Sequence, residues 1–289
     1  MNKNIGLSFL TAMLFIVLVL LTGCSGNFET SKEINVISRE EGSGTRGAFI
    51  ELFEIEVKND DGTKKDMTTK ESVIARQTDV MMTNISGDKY SIGYISLGSL
   101  NDAVKAVQIE GVKASSENVK NGMYPIARPF NIATKGAPSG LVKDFIDFIM
   151  SAEGQGVISK SYIAINESAS AYAGNKPSGK IVVAGSSSVT PVMEKLKEAY
   201  LAVNTNAAIE IQQTDSSAGI KSTIDGSCDI GMSSRALKDS ELAELTPVQI
   251  ALDGIAVIVN KDNPAENMTK DQVKSIYTGK SVIWSDVIK

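Results

Sequence analysis

The chain has 289 residues, more than one hydrophobic core usually spans, and its 42% hydrophobic and 22% charged residues are ordinary for a globular protein. Its 29 Lys and Arg against 34 Asp and Glu give a net charge of −5 and no basic stripe, which argues against nucleic-acid binding. The sequence contains no His and two Cys, which removes the usual base of a Ser or Cys nucleophile and disfavours a zinc site.

The N-terminus has the pattern of a lipoprotein signal. Lys3 precedes an apolar run from Ile5 to Leu21, and the segment from Leu21 to Cys24 has the form of a lipobox. We therefore expect residues 1–23 to be removed, Cys24 to be lipidated and residues 24–33 to form a tether. A retained transmembrane anchor is the alternative, because the run approaches spanning length. Lipidation predicts a protein anchored at the extracytoplasmic face of the cell membrane.

The first strand-to-helix segment combines several groups that bind anions. Residues 34–37 read as a strand, and apolar residues from 48 to 53 recur at helical spacing. Ser43 and Thr45 therefore lie in a glycine-rich turn at a predicted helix N-terminus, where free backbone N–H groups favour an anion. Arg39 adds a planar fork suited to two anion oxygens. The alternative is an ordinary capped helix with a surface Arg–Glu pair.

Two later segments repeat this design. A strand-like run at 181–183 leads into the Ser-rich turn 185–191, where Thr190 fits an N-cap and Pro191 a first helical residue. The segment 215–219 likewise joins a strand-like run to a helix. A single Ser-rich turn is more often a cap than a ligand site. Three such turns can converge on one small anion, and we infer anion binding from their recurrence.

Taken together, these motifs resemble a known family, the phosphate-binding proteins of bacterial phosphate ABC importers (the PstS type). The resemblance covers nearly all of the chain after the leader. The segments that carry it are Val36–Arg46, Gly93–Leu97, Ile181–Pro191, Ser216–Lys221 and Asp229–Arg235.

The resemblance implies a function and a site. It implies capture of inorganic phosphate for membrane ABC permease subunits, without enzymatic activity or cofactor, and we expect a monomer. Glu41 would orient Arg39 at the site. The phosphate contacts carried over by position are Arg39, Ser43, Gly44, Thr45, Ser187, Ser188, Ser216 and Ser234.

One departure from the family concerns selectivity. The best-known members have an Asp at the place of Ser234, where it accepts a hydrogen bond from protonated phosphate. Ser234 is a weaker acceptor, so sulfate or another tetrahedral oxyanion remains an alternative ligand. Phosphate is preferred because a related branch of the family carries the same Met-Ser-Ser-Arg text. We also hypothesise that Asp215 supplies the missing acceptor.

A second departure is the order of the family's two halves, which is reversed here. The chain starts with the Arg-Glu-Glu-Gly-Ser-Gly-Thr-Arg segment, which a typical member reaches last, and therefore reads as a circular permutation. Residues 165–179 have the composition of a linker that joins the usual termini. The alternatives are the product of a rearranged gene and a degenerate or regulatory interaction protein.

The expected fold class is α/β, with two periplasmic-binding-protein-like lobes, mixed sheets and a two-segment hinge. Alternating strand and helix patterns indicate the α/β lobes, and the resemblance supplies the hinge. The apolar run 255–259 is predicted to be a packed crossing strand. The expected bounds are 34–127 with 253–289 for lobe A, 128–252 for lobe B, and 127–134 with 251–259 for the hinges.

An enzymatic alternative depends on one pair of residues. Ser217 and Lys221 could form a Ser–Lys arrangement, but their spacing is equally that of one helical turn with an exposed Lys. The carboxylates are too dispersed to specify a metal site. Cys228 is expected to be a small buried hydrophobe.

Overall fold

The computed structural model describes residues 27–59 and 64–288. The predicted signal, the lipobox and Cys24 lie outside these residues. The strands are β1 Asn35–Arg39, β2 Glu56–Lys58, β3 Lys64–Asp66, β4 Val73–Ala75, β5 Ser91–Ser96, β6 Lys105–Ala106, β7 Gln108–Ile109, β8 Ala127–Thr134, β9 Ile163–Ala164, β10 Gly179–Ser186, β11 Ala207–Thr214, β12 Ile230–Ser233, β13 Thr246–Val259 and β14 Asn267–Met268. The helices are α1 Gly44–Leu52, α2 Thr78–Gly87, α3 Ser116–Lys120, α4 Gly140–Met150, α5 Ala152–Ile158, α6 Thr190–Val203, α7 Ser216–Ile224, α8 Asp239–Leu242 and α9 Lys270–Tyr277, with 3-10 turns at Leu97–Ser99 and Trp284–Asp286.

A ten-stranded mixed sheet runs through the described part of the molecule. Its main path is β11-β10-β12-β8-β13-β5-β1-β4, and β6 and β9 each pair with β13 beside that path. Strand pairs at the two ends of the path are parallel, whereas β8 and β13 run antiparallel to their neighbours. The predicted α/β class with a mixed sheet is confirmed.

Two large hydrophobic cores divide the described residues into two lobes. The first core, which defines lobe A, draws its residues from 34–126 and 255–287. The second core, which defines lobe B, draws its residues from 130–251. Each core buries aromatic side chains among Ile, Val and Leu, and this removal of apolar surface from water is the main stabilising contribution to each lobe.

Strand β13 connects the lobes. Its residues 246–254 pair with β8 in antiparallel register, and its residues 255–259 pair with β5. All five residues from 255 to 259 are fully buried, so the predicted crossing strand is confirmed. A shift in register between Gln249 and Ala251 marks where the ladder bends.

The predicted strand-to-helix turns are present, and the N-cap of one helix differs from the prediction by one residue. Ser43 is the N-cap of α1 and its Oγ accepts from the Arg46 N–H at 3.3 Å. Asp215 caps α7 by accepting from the Ala218 N–H at 2.8 Å. Thr190, expected as an N-cap, is instead the first residue of α6, and its Oγ1 donates to the Ser186 carbonyl at 3.1 Å.

The linker-like segment 165–179 contains no regular secondary structure until β10 begins, and it is held against lobe B by polar contacts. The buried carboxylate of Asp144 accepts from the hydroxyls of Tyr172 and Tyr200, the latter at 2.6 Å. Asn204 Nδ2 donates to the Pro177 carbonyl at 3.0 Å. The segment therefore follows a defined path along α4 and α6.

Candidate functional site

Polar side chains from both lobes meet where strands end and helices begin. Arg39 ends β1, Ser186 ends β10 and is followed by Ser187 and Ser188, and Ser234 follows β12. Thr45, Thr78 and Ser216 lie in the first turns of α1, α2 and α7. The strands of lobe A run in the opposite sense to β10 and β12 of lobe B, and both sets end near the middle of β13, where the chain crosses between the lobes. The turns that follow them therefore face a common region. We call this group the anion cluster; its members are Arg39, Thr45, Thr78, Ser186, Ser187, Ser188, Ser216 and Ser234.

Arg39 is the cation of the cluster and is 1% exposed. Glu40 holds it in a two-point pair, Nε to Oε2 at 2.9 Å and Nη2 to Oε1 at 2.8 Å. Nη2 also donates to Ser187 Oγ at 3.0 Å, and Nη1 makes a long 3.4 Å contact to Thr78 Oγ1. The guanidinium is thus fixed in orientation, and its Nη1 edge retains donor capacity toward the hydroxyls.

Contacts between the lobes close the cluster. Thr45 Oγ1 in lobe A lies 2.8 Å from Ser188 Oγ in lobe B. The Ser217 N–H donates to the Gly42 carbonyl at 3.2 Å. At Gly44, an added Cβ would lie 2.5 Å from Ser216 Oγ, so a side chain there would clash. Glycine at this position lets the two lobes approach each other.

Lobe B contributes a chain of hydrogen-bonded hydroxyls. The Ser188 N–H donates to Ser186 Oγ at 3.3 Å, and Ser186 Oγ donates to Ser234 Oγ at 2.9 Å. The Ser234 N–H donates to Ser216 Oγ at 3.1 Å. Ser216 and Ser234 each accept a hydrogen bond from the protein, and their hydroxyl oxygens also lie 3.4 Å apart. One hydroxyl proton can serve that contact, and the other can point at a ligand.

The chemistry of the cluster suits a small oxyanion. Every member is buried, from 0% exposed at Ser234 to 5% at Thr78. Helices α1, α2 and α7 begin at or next to cluster residues and direct N–H groups and positive dipole ends toward it. A solvent-excluded group of hydroxyl donors with one fixed cation stabilises an anion more strongly than the same groups in water.

Most of the predicted phosphate contacts lie together in the structure. Arg39, Thr45, Ser187, Ser188, Ser216 and Ser234 lie in the cluster, and Gly44 lies against Ser216 and Ser234. Ser43 is buried beside them, but its Oγ caps its own helix.

Glu41 and Asp215 are the two residues predicted to support the phosphate contacts, and the structure revises the first of these predictions. The prediction that Glu41 orients Arg39 is wrong: Glu40 makes that pair, and Glu41 is exposed. The Nε–Nη2 edge of Arg39 faces the Glu40 carboxylate. Asp215 uses Oδ1 as the cap of α7 and packs against Gly42. Its hypothesised role as acceptor for a phosphate proton stays a hypothesis.

Two members of the cluster were missed from the sequence. Thr78 opens α2 directly after β4, a fourth strand-to-helix turn, but its segment lacks the Gly and Ser residues that mark the others. Ser186 lies in the Ser-rich turn 185–191, but the family resemblance implies no phosphate contact for it. Its role as the link between Ser188 and Ser234 depends on tertiary geometry.

A buried ion pair lies beside the cluster where the lobes join. Arg128 on β8 pairs with Asp253 on β13 at 3.2 Å, and each side chain is 1% exposed. Arg128 Nη1 donates to the Ser234 carbonyl at 3.0 Å, and Asp253 Oδ1 accepts from Ser96 Oγ at 3.0 Å. Burial raises the pKa of Asp253 to about 6, although Arg128 and the Gly98 N–H lower it. The pair therefore connects both lobes to the anion cluster.

The residues of the enzymatic alternative are engaged elsewhere. Lys221 Nζ pairs with Asp225 at 2.7 Å, and Ser217 Oγ accepts from Arg235 at 3.3 Å. Cys228 is buried as expected, and burial raises the pKa of its thiol. Within 27–59 and 64–288, no group of three or more His, Cys, Asp or Glu is placed to hold a metal. In the same ranges, no helix is both long and apolar enough to cross a membrane.

Fold and cluster define a two-lobed solute-binding protein, and comparisons with known proteins agree. Residues 27–153 and 170–289 match the family described as the PBP superfamily domain. The phosphate-binding protein PstS 2 of Streptococcus agalactiae serotype V is 50% identical over 293 residues, covering 100% of each chain. PstS 2 of Streptococcus pneumoniae serotype 4 is 44% identical over 273 residues, covering 92% of this chain and 94% of the relative.

A solved structure supports the same assignment. The crystal structure of a phosphate ABC transporter phosphate-binding protein from Streptococcus pneumoniae TIGR4 superposes with a TM-score of 0.71 and 45% identity. The match covers 89% of this chain and 100% of the crystallised chain. The chain belongs to the PBP superfamily, among the PstS-type phosphate-binding proteins. Since the S. agalactiae relative matches end to end, it shares the order of segments found here.

Proposed function

We propose that this chain is an extracytoplasmic receptor that captures inorganic phosphate between its two lobes and delivers it to an ABC importer. The main support is the anion cluster: one buried Arg and a shell of hydroxyl donors contributed by both lobes. Such a site holds a tetrahedral oxyanion by charge-assisted and neutral hydrogen bonds away from water. Relatives that match most of this chain are named phosphate-binding proteins.

The proposal includes a mechanism of capture. The phosphate contacts are Arg39, Gly44, Thr45, Ser187, Ser188, Ser216 and Ser234, with Ser43 placing the first turn of α1. Segments 127–134 and 251–259 act as the hinge about which lobe A and lobe B close. Closure on the anion is the state that membrane permease subunits recognise. The protein is non-enzymatic and monomeric, and a lipid on Cys24 holds it at the membrane.

Calorimetry with phosphate and sulfate tests the proposal on the chain that begins after Cys24, which retains both cores. We expect phosphate to bind and Arg39→Ala to weaken binding by about 2–5 kcal/mol, because a buried charge-assisted contact is lost. Arg76→Ala, at an exposed Arg just after the neighbouring strand β4, is the control and should leave affinity unchanged. Normal phosphate binding by the Arg39 variant would remove this site. A folded protein that binds no anion would instead indicate a regulatory or degenerate interaction protein.

A further inference from the structure

Two buried hydroxyls in the described part of the chain have no hydrogen-bond partner, and each lobe contributes one of them. Ser99 Oγ lies at the end of the 3-10 turn that follows β5 in lobe A. Tyr162 precedes β9, and its side chain belongs to the hydrophobic core of lobe B, where it is 4% exposed. An unpaired buried hydroxyl is costly, so these two groups call for a physical explanation.

The ring of Tyr162 lies at the boundary between the lobes. It packs against Phe130 of lobe B, with ring centroids 5.3 Å apart. It also lies directly against Gly98 of lobe A, where an added Cβ would clash with the ring. Glycine at position 98 therefore allows lobe A to approach Tyr162 when the lobes are together.

The polar groups near the Tyr162 hydroxyl are bonded to other partners. Asp253 Oδ1 accepts from Ser96 Oγ at 3.0 Å, and Asp253 Oδ2 pairs with Arg128 at 3.2 Å. Burial raises the pKa of the Tyr162 phenol and the charge of Asp253 raises it further, although the Ser99 and Ser96 hydroxyls lower it. The phenol therefore lies beside these groups, away from water, without a hydrogen bond of its own.

Separation of the lobes would let water reach both hydroxyls. Ser99 borders a cavity of about 360 Å³ to which Met82 of lobe A and Pro191 of lobe B also contribute, although the Ser99 hydroxyl itself is buried. Because both lobes form this cavity, it widens when they part, and the contact between Tyr162 and Gly98 is released. Water then supplies the missing hydrogen bonds, so burial of the two hydroxyls opposes closure.

We propose that the unpaired hydroxyls of Tyr162 and Ser99 bias the receptor toward its open form and thereby limit its affinity for phosphate. This inference rests on the proposed function, because it requires phosphate to bind to the closed form. Part of the free energy of binding then serves to bury the two hydroxyls. The ligand-free protein stays open to receive the anion, and the same bias favours reopening when the anion is delivered.

Calorimetry with phosphate on Tyr162→Phe and Ser99→Ala tests the proposal, using the chain that begins after Cys24. Each change removes one unpaired hydroxyl with little change in shape, so we expect each variant to bind phosphate at least about threefold more tightly than wild type. Tyr124→Phe and Ser91→Ala are the matched controls. Their hydroxyls are also buried but donate within lobe A, to the Ile255 carbonyl at 2.8 Å and the Asp88 carbonyl at 2.7 Å. These two variants should be less stable and should not bind phosphate more tightly.

Two further measurements show whether the gain comes from closure. The radius of gyration of ligand-free Tyr162→Phe, from X-ray scattering, should lie closer to that of the phosphate-bound wild type. Denaturant unfolding should show that Tyr162→Phe stabilises the phosphate-bound protein more than the ligand-free protein.

The outcomes separate this inference from the proposed function. If folded Tyr162→Phe and Ser99→Ala both bound phosphate no more tightly than wild type, the inference would be overturned and the phosphate receptor would remain. Equal stabilisation of the free and bound forms would also overturn it, since the hydroxyl would then be unpaired in both forms. A folded wild-type protein that binds no phosphate would remove both proposals.

Discussion

Thr45 and Ser188 are 143 residues apart in the chain, yet their hydroxyl oxygens lie 2.8 Å from each other. One belongs to the first turn of a lobe A helix and the other to a lobe B turn. The contact exists because the lobes are close together, and it places two donors side by side at the cluster. A change at either hydroxyl should therefore affect both the approach of the lobes and the binding of the ligand.

Double-mutant analysis of this pair should reveal coupling. We expect Thr45→Val and Ser188→Ala each to weaken phosphate binding by about 0.5–1.5 kcal/mol, because each removes the hydrogen bonds of one buried hydroxyl. The two losses should be non-additive by at least about 0.5 kcal/mol, as is usual for residues in contact. Phosphate dissociation constants of the four proteins give the coupling energy. Strictly additive losses would show that the two hydroxyls act independently.

Gly44→Ala should impair ligand binding while leaving the fold stable. The added methyl group would lie 2.5 Å from Ser216 Oγ and 2.8 Å from Ser234 Oγ, which prevents the observed approach of the lobes. We expect phosphate affinity to fall at least about tenfold, or about 1.4 kcal/mol. Stability should not fall, since Ala favours a helix over Gly.

Gly87→Ala is the control for this experiment. Gly87 also lies in a helix, and nothing is within 4 Å of an added Cβ. It should therefore retain normal phosphate affinity. Denaturant unfolding and calorimetry on both variants separate stability from binding, and a Gly44 variant with unchanged affinity would show that the close approach is not needed.

The buried pair of Arg128 and Asp253 should be needed for stability. Arg128→Ala leaves a buried carboxylate without its cation, which we expect to lower the free energy of unfolding by about 3–5 kcal/mol. Adding Asp253→Asn should restore part of this loss, because a neutral amide costs less to bury than a carboxylate. Guanidinium unfolding of the single and double variants measures both effects. A double variant less stable than Arg128→Ala would contradict this account.

Asp66 should contribute a pH-dependent part of the stability. Burial alone would raise the pKa of Asp66, but hydrogen bonds from Thr68 and Arg46 outweigh it and lower that pKa below its ordinary value. Because the folded pKa lies below the unfolded pKa, the contribution is present above the unfolded value of 3.8 and is lost as pH falls through the folded pKa.

Urea unfolding between about pH 5 and about pH 2 measures this contribution. The stability difference between wild type and Asp66→Asn should shrink with acidification, by up to about 1 kcal/mol for this partly exposed pair. Asp102→Asn, at an exposed carboxylate, is the matched control and should show no such trend. If the stability difference between wild type and Asp66→Asn grew at acidic pH, the pKa of Asp66 would be raised rather than lowered by folding.

The sequence predicted the parts of the site that depend on local chemistry. Glycines, hydroxyls and helix-starting residues mark where strands turn into helices, and Ser43 and Asp215 cap helices at those places. Arg39 is predicted because it places a fixed cation next to a turn that is rich in glycines and hydroxyls and begins a helix. These features are local, so single-sequence patterns contain them.

The parts that were missed depend on tertiary geometry. Sequence alone does not distinguish Glu40 from Glu41 as the partner of Arg39, because both follow it closely in the chain. The direction of each side chain determines which carboxylate reaches the guanidinium. Thr78 joins the cluster only through the packing of α2 against the lobe B turn, and its segment carries no Gly–Ser signature. The N-cap of α6 is Val189, one residue before the predicted Thr190. Thr190 is instead the first helical residue, and its Oγ1 donates to the Ser186 carbonyl.

The division of the two cores along the chain has a consequence for the order in which the lobes can fold. The core of lobe B is drawn entirely from residues 130–251, whereas the core of lobe A needs Tyr277 and Trp284 as well as residues near position 36. Domains fold as units as the chain becomes available from N- to C-terminus. When the chain emerges in that order at the outer face of the membrane, lobe B can fold first, and lobe A cannot complete its core until the last residues have emerged. During that interval, the apolar strands β1 and β5 are exposed to misfolding.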